Sequence, residues 1–318
     1  MENRERHSTN DDGIDRRGML KCMAWVGTGL VWAMNGGLPV GRLLGQEPKN
    51  TASSDLSFVQ ISDSHIGFGK EPNKDVIGTL KTAIDKINAL AVQPAFVLHT
   101  GDLTHLAKPE EFDTVSEVLK GLKSPVLYVP GEHDFGSDDN KVYLERFGKN
   151  TKGSGWYSFD YKGAHFVGLV NVANSKSGSP SAGLGQIGNE QLEWLAKDLE
   201  AVTASTPVVV FAHVPLWTVY EKWGWGTQDS EQALKLLKRF GSVSVLNGHI
   251  HQVMQKVEGN VVFHSARSTA FPQGEPGKGT PGPMRDVPAN RLRGMLGLTT
   301  VKHVEHETAL AIADQNLE

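Results

Sequence analysis

The amino-acid sequence predicts an α/β fold, a sheet flanked by helices, on three observations. From Asp55 onward, short β-rich apolar runs alternate with segments of helical period, an alternation that sets helices against a sheet. The runs are apolar along their length, as strands buried on both faces are. Residues able to hold a cation stand directly after five of these runs, and sites in open α/β sheets gather at the carboxyl ends of strands.

Taken in order, the first strand spans Leu56–Ile61 and runs into Asp63-Ser64-His65. A helix follows over Asp75–Ala91, where Val76, Leu80, Ala83, Ile84, Ile87 and Leu90 recur at three and four and form one apolar stripe. The second strand, Ala95–His99, leads to Gly101-Asp102 and a helix over Glu110–Leu122. The third, Val126–Val129, leads to Gly131-Glu132-His133-Asp134 and a helix over Asn140–Phe147. The remaining strands are His165–Val170, Val208–Ala212 ending at His213, Val243–Leu246 ending at Asn247-Gly248-His249-Ile250-His251, and Val261–Phe263. Helices are expected over Asn189–Val202 and Ser230–Phe240, and a last strand or hairpin over Met295–Val304, with the C-terminal residues peripheral. Two irregular segments, Asn174–Gly188 and the Pro- and Gly-rich Pro272–Pro288, read as loops. They are either borders of a substrate cleft or solvated connectors.

Composition narrows the function. The 318 residues are 39% hydrophobic and 21% charged, the balance of an ordinary soluble protein. A net charge of −4 argues against a nucleic-acid duplex as partner, since backbone-binding proteins carry a basic surface. A small phosphorylated substrate stays compatible, because bound cations would supply the attraction. Cys22 is the single cysteine, which excludes an internal disulfide and a thiolate zinc site.

The N-terminal segment reads as an address. Asp15–Lys21, with Arg16 and Arg17 adjacent, precedes a Gly-rich apolar stretch and resembles a twin-arginine export signal. That stretch is short of the ~20 residues of a comfortable membrane span. The expectation is a leader and linker over 1–46 and one domain over 47–318. It implies the twin-arginine export machinery as a partner, a periplasmic or extracellular location, and no stable membrane span after processing. The other reading is an amphipathic helix or an uncleaved anchor.

The donors after the strands are carboxylates and imidazoles without a thiol, a set suited to Mn, Fe, Zn, Co or Mg. Asp63, His65, Asp102, Glu132, His213, His249 and His251 are too many for one tetrahedral ion. They suit two ions, divalent or mixed-valence, ~3.5–4 Å apart. Gly101, Gly131 and Gly248 would let the chain turn sharply beneath them.

The motifs D-S-H, G-D-L-T, G-E-H-D, A-H-V-P and G-H-I-H, in this order, resemble the calcineurin-like metallophosphoesterase family over about Phe58 to Val304. Gly185-Gln186-Ile187-Gly188 is closest in style to its bacterial cyclic-nucleotide phosphodiesterases. The resemblance implies a β-sandwich of mixed sheets flanked by helices, a four-layer αββα architecture. It also implies hydrolysis of phosphomono- or phosphodiesters by a metal-bridging hydroxide. Carried over, Asp63, His65 and His251 would bind one metal, and Glu132, His213 and His249 the other. Asp102 would bridge them, His133 would act on the leaving group, and Asp134 would orient His133. Glu132 stands where the family normally has Asn. The added charge is expected to change metal preference or substrate range; the alternative is an exported metal- or phosphate-binding protein with lost catalysis.

Other signals are weaker. His99 reads as a packed or supporting residue, His105 as either a loop residue or one that faces substrate, and His264 is open. His303 and His306 read as surface residues. Trp217, Tyr220, Trp223 and Trp225 form either a small core within their loop or a wall that stacks a flat leaving group. Asn247 is expected to hold a ligand loop.

Overall fold

The computed structural model describes residues 56–136, 140–172, 184–303 and 310–318, together with the backbone of two strands near the N-terminus. The chain divides into two compact units, Met1–Ser53 and Ser54–Glu318. In the first, β1 (Leu30–Asn35) pairs antiparallel with β2 (Leu38–Leu43). The twin-arginine segment Asp15–Lys21 lies outside the described residues. No helix among the described residues is long and apolar enough to cross a membrane.

The second unit is built on two mixed sheets. One has the order β13-β12-β3-β4-β5, from Ala311–Asn316, Gly297–His303, Leu56–Ile61, Val97–His99 and Val126–Tyr128. The other has the order β10-β11-β9-β8-β7-β6, from Met254–Glu258, Val261–Ser265, Val243–Asn247, Val208–Phe211, Ala164–Gly168 and Tyr157–Tyr161. Strands β3, β4 and β5 run parallel, as do β7, β8, β9 and β11.

Alternation along each strand sorts side chains into three apolar layers. Val59 and Ile61 of β3 join Leu80, Ile84 and Ile87 of α1 (Val76–Asn88) and Phe112 and Val115 of α2 (Pro109–Leu119). Val208 and Val210 of β8 face Leu192, Leu195 and Leu199 of α4 (Asn189–Glu200) and Leu237 of α5 (Ser230–Leu237). The intervening positions, Leu56 and Phe58 on β3 and Val209 and Phe211 on β8, meet between the sheets. Helix, sheet, sheet and helix therefore stack in four layers, the expected αββα sandwich. Two shorter helices, α3 (Lys141–Phe147) and α6 (Ala289–Met295), add Tyr143 and Leu292 to the first layer.

Local chemistry explains the element ends. Asp75 accepts a hydrogen bond from Gly78 N at 2.8 Å and caps α1, satisfying one of its free amides. Pro109 opens α2, where a missing N–H costs nothing.

Strands β6, β10 and β13 and helix α6 escaped sequence reading. Residues of β6 and β13 are largely half-exposed, and β10 is exposed from Gln255 to Glu258. All three strands lie at sheet edges, where burial demands no continuous apolar run. The C-terminal residues, expected to be peripheral, form an edge strand: Ala311–Asn316 pairs with β12 throughout. His303, expected at the surface, is buried because β12 lies inside the sheet between β13 and β3. His306 lies outside the described residues, as does most of Asn174–Gly188.

Candidate metal centre

The five loops carrying the candidate donors leave the carboxyl ends of β3, β4, β5, β8 and β9, three from one sheet and two from the other. Backbone hydrogen bonds stitch them together. Asp63 N donates to Gly101 O at 3.0 Å, His65 N to Asp102 O at 2.9 Å, and Gly248 N to His213 O at 3.0 Å. The two sheets are joined where His249 N donates to the Asp63 carboxylate at 3.2 Å. Asn247 Nδ2 donates to Ala212 O and Val214 O, holding the His213 loop as expected.

Five of the seven candidates carry left-handed backbone: Asp63 (φ 55°), His65 (41°), Asp102 (54°), His249 (68°) and His251 (54°). Each such residue costs ~1–3 kcal/mol, and such outliers cluster at functional sites. Here it turns the side chains inward. Gly101 shares the conformation (φ 96°), whereas a Cβ at Gly131 or Gly248 would overlap the carboxylate of Asp102 or Asp63. At those two positions glycine is required for space rather than for a sharp turn.

The donor atoms converge as two sets. Asp63, His65 and His251 form one and Glu132, His213 and His249 the other, each with its atoms within 4.8 Å of one another. Nε2 of His251 is 3.0 Å from Asp63 Oδ1 and 3.2 Å from His65 Nε2. In the second set, Glu132 lies 2.8 Å from His213 Nε2 and, through its other oxygen, 2.8 Å from His249 Nδ1. Asp102 Oδ2 stands between, 3.4 Å from both His65 Nε2 and His213 Nε2. Donors bonded to one ion at ~2.0–2.2 Å lie about 3 Å apart, so these spacings fit shared ions.

Hydrogen bonds settle which nitrogens are bare. His251 Nδ1 donates to Phe271 O at 2.6 Å, and His213 Nδ1 to Thr100 O at 2.7 Å, leaving Nε2 of each as a lone pair when neutral. His213 Nε2, Glu132 Oε2 and both ring nitrogens of His249 are buried without a hydrogen bond. Unsatisfied lone pairs in a buried site are costly and suit cations. Residues and chemistry therefore fit two metal ions.

The electrostatics lead the same way. Burial would raise Asp63, yet His251 and His213 hold it at about 2. Burial likewise opposes ionisation of Glu132, but His249 and His213 keep it well below the usual carboxylate range. Burial would lower His213, and the carboxylates of Asp102 and Glu132 instead raise it well above the ordinary value. A buried group of carboxylates draws positive charge, as protons or as metal ions.

His133 joins neither set fully. Its Nδ1 donates to His105 O at 2.8 Å, and its amide donates to Asp102 Oδ1 at 2.9 Å. Burial would lower it, but Asp102 and Glu132 raise it. Asp134 does not orient this ring. Its carboxylate accepts from the amides of Gly131, Leu103 and Thr104 and from Thr104 Oγ1, binding the β4 and β5 loops together. Burial and the charge of Asp102 push Asp134 up to about 7.

Several supporting residues were not legible. Ser268 Oγ donates to Asp63 O at 2.7 Å and accepts from the amides of Ala270 and Phe271. The Phe271 ring lies against His65 and His251, with centroids 4.7 and 4.6 Å away. Gln273 Nε2 donates to His249 O at 2.8 Å. Of these only Gln273 lies in the irregular segment Pro272–Pro288, which thereby meets the His249 loop. His99, buried, meets Ser64 Oγ at 2.9 Å, a supporting role. His264 is buried against Asp314 at 3.0 Å, far along the chain in β13. The aromatic group divides: Trp223 and Trp225 pack with Ile250 in a small core, while Trp217 lies against Phe263. Trp223 and Trp225 are buried, so they brace the His249–His251 loop and present no open face.

The family model for calcineurin-like phosphoesterase matches residues 56–253. A serine/threonine-protein phosphatase of Danio rerio is 26% identical over 235 residues, covering 66% of this chain and 74% of that protein. A 3',5'-cyclic-nucleotide phosphodiesterase of Nostoc sp. is 24% identical over 222 residues, covering 68% and 79%. Among solved structures, a dimetal phosphatase from Danio rerio has a TM-score of 0.63 at 14% identity, over 83% of this chain and 96% of that one. At that identity the likeness concerns the fold.

Proposed function

This chain belongs to the calcineurin-like phosphoesterase family, and we propose that it hydrolyses phosphomono- or phosphodiesters at a dinuclear centre held by the seven donors described above. The supporting observation is their convergence on two sets that share Asp102. Asp63, His65 and His251 would hold the first ion, and Glu132, His213 and His249 the second. When bound, the two ions would supply Lewis acidity toward phosphoryl oxygens and a hydroxide nucleophile at neutral pH.

The chain's own part is to place and to protonate. Asp102 keeps the two sets at a fixed separation through Oδ2, while its Oδ1 anchors the amide of His133. His133, with Nδ1 committed to a carbonyl and its basicity raised by neighbouring carboxylates, holds a proton at Nε2 for the departing oxygen. Such donation contributes about 10²–10⁴ in rate. The names of the relatives support both ester classes, a protein phosphatase and a cyclic-nucleotide phosphodiesterase. A panel of mono-, di- and cyclic phosphoesters decides among them, run after chelation and return of Mn, Fe, Zn, Co or Mg. A protein that recovers two ions and cleaves no ester would overturn the proposal.

The adjacent Arg16 and Arg17 support export by the twin-arginine machinery, with 1–46 as leader and linker. Replacing both with lysine should retain the protein in the cytoplasm; unchanged fractionation would refute export by this route.

A further inference from the structure

We propose, resting on the dinuclear reading of the site, that His105 is a positioning residue. Its ring fixes the tautomer of the ligand His65 and thereby makes its own Nε2–H the donor offered to a bound phosphoester. His65 Nε2 faces His251 Nε2 at 3.2 Å and Asp102 Oδ2 at 3.4 Å, the position of a ligand atom. A nitrogen that ligates is bare, so a neutral His65 carries its proton on Nδ1. That Nδ1 stands 3.4 Å from His105 Nδ1. The His65 N–H donates across this gap and the His105 nitrogen accepts. A neutral imidazole has one donor and one acceptor, so accepting at Nδ1 leaves the His105 proton at Nε2.

The surroundings hold His105 in this pose. Its amide donates to Ile66 O at 2.9 Å and to Glu111 Oε2 at 3.3 Å, and the next amide, of Leu106, donates to Glu111 Oε2 at 2.8 Å. Its carbonyl accepts from His133 Nδ1. Its ring stacks on His133, with centroids 4.9 Å apart and planes 14° from parallel, and meets Phe68 edge-on. His65 is buried, whereas His105 is partly open to solvent. With Nδ1 turned to the buried His65, Nε2 is the end of the ring directed away from it, beside the proton donor His133. One residue joins the order of the first metal set to recognition of the ester.

His65, His105 and His133 also lie close enough together to hold a third ion. A neutral His65 cannot serve two ions, since one of its nitrogens keeps a proton.

Two conservative variants separate the roles. In His105→Asn the amide oxygen takes the place of Nδ1, keeping the acceptor for His65 and losing the distal donor. In His105→Gln the distal N–H is kept and the acceptor is lost; His105→Ala loses both. Mn(II) affinity is measured by competition with a chromophoric chelator, and turnover with bis(p-nitrophenyl) phosphate. Expected is a loss of about 10–100-fold in affinity for one of the two ions in the Gln and Ala variants, with near-parental affinity in the Asn variant. The Asn variant should instead lose about tenfold in kcat/KM. Equal behaviour of Asn and Gln in both readouts, or loss of a third equivalent of metal in Ala, would overturn the proposal. A parental protein that binds two ions but cleaves no ester would remove the phosphoesterase reading and the donor role. The affinity comparison would still decide the tautomer role.

Discussion

His213 Nε2 and Glu132 Oε2 lie 2.8 Å apart, both buried, and neither takes part in a hydrogen bond. The contact sets a carboxylate oxygen against the one ring nitrogen not committed to a carbonyl, an arrangement that a proton or a metal cation resolves. Glu132 brings a full negative charge where its family normally has an amide. Even at an effective dielectric of ~20, a unit charge at ligand distance is worth several kcal/mol.

Glu132→Asn should therefore weaken retention of one ion by more than about tenfold, most for hard, highly charged ions, and should sharpen Lewis acidity toward the ester. Metal content after graded chelation and hydrolysis rates check this. Identical occupancy and rates would remove any special role for the carboxylate.

Asp102→Asn should lose both ions and all activity, because its Oδ2 stands equally close to His65 and His213. His133→Ala should keep both ions and lose about 10²–10⁴ in turnover. Metal analysis beside kinetics distinguishes the two, and metal loss in the second variant would make His133 a ligand.

Phe58 is fully buried between the sheets, stacked on Phe96 at 5.2 Å and edge-on to Phe166 at 5.6 Å. Phe58→Ala should cost about 3–5 kcal/mol in unfolding free energy. The protein that remains folded should bind metal normally, since Phe58 belongs to the apolar layer between the sheets and is not one of the candidate donors. Chemical denaturation with metal analysis of the folded fraction tests both halves.

A pH effect independent of the metal centre comes from His165. Its ring is held by Asp160 at 2.8 Å and Asp198 at 3.0 Å, and Ser158 donates to Asp198 at 2.5 Å. Burial would lower His165, but its bonds to Asp198 and Asp160 raise it above the ordinary value. Burial would raise Asp198, but its bonds to His165 and Ser158 lower it. The imidazolium contribution is thus complete below the usual histidine value of ~6.5 and fades as pH rises through the raised folded value. The Asp198 contribution is present above the usual ~3.9 and fades as pH falls through the lowered one. Asp160 is 81% exposed, so its share is below about 1 kcal/mol. The stability gap between the parent and His165→Gln should shrink on going from pH 6 to pH 9. A gap constant across that range would show that the ring is not charged.

Sequence alone determined the alternation of layers and picked out the candidate donors, because both are written in local pattern. A strand buried on both faces must be apolar along its length, as at Val208–Phe211, and the candidate donors are acids and imidazoles placed directly after strands, as at Asp63 and His251. Exposed edge strands such as Met254–Glu258 escape such reading because no burial requirement marks them. Only the tertiary structure showed the members of a set in contact, because Asp63 and His251 meet from loops of two different sheets. It also decided that Asp134 ties backbone loops together while a carbonyl, that of His105, orients His133. Roles of this kind depend on hydrogen-bond geometry at the Ångström scale, which spacing along the chain does not encode.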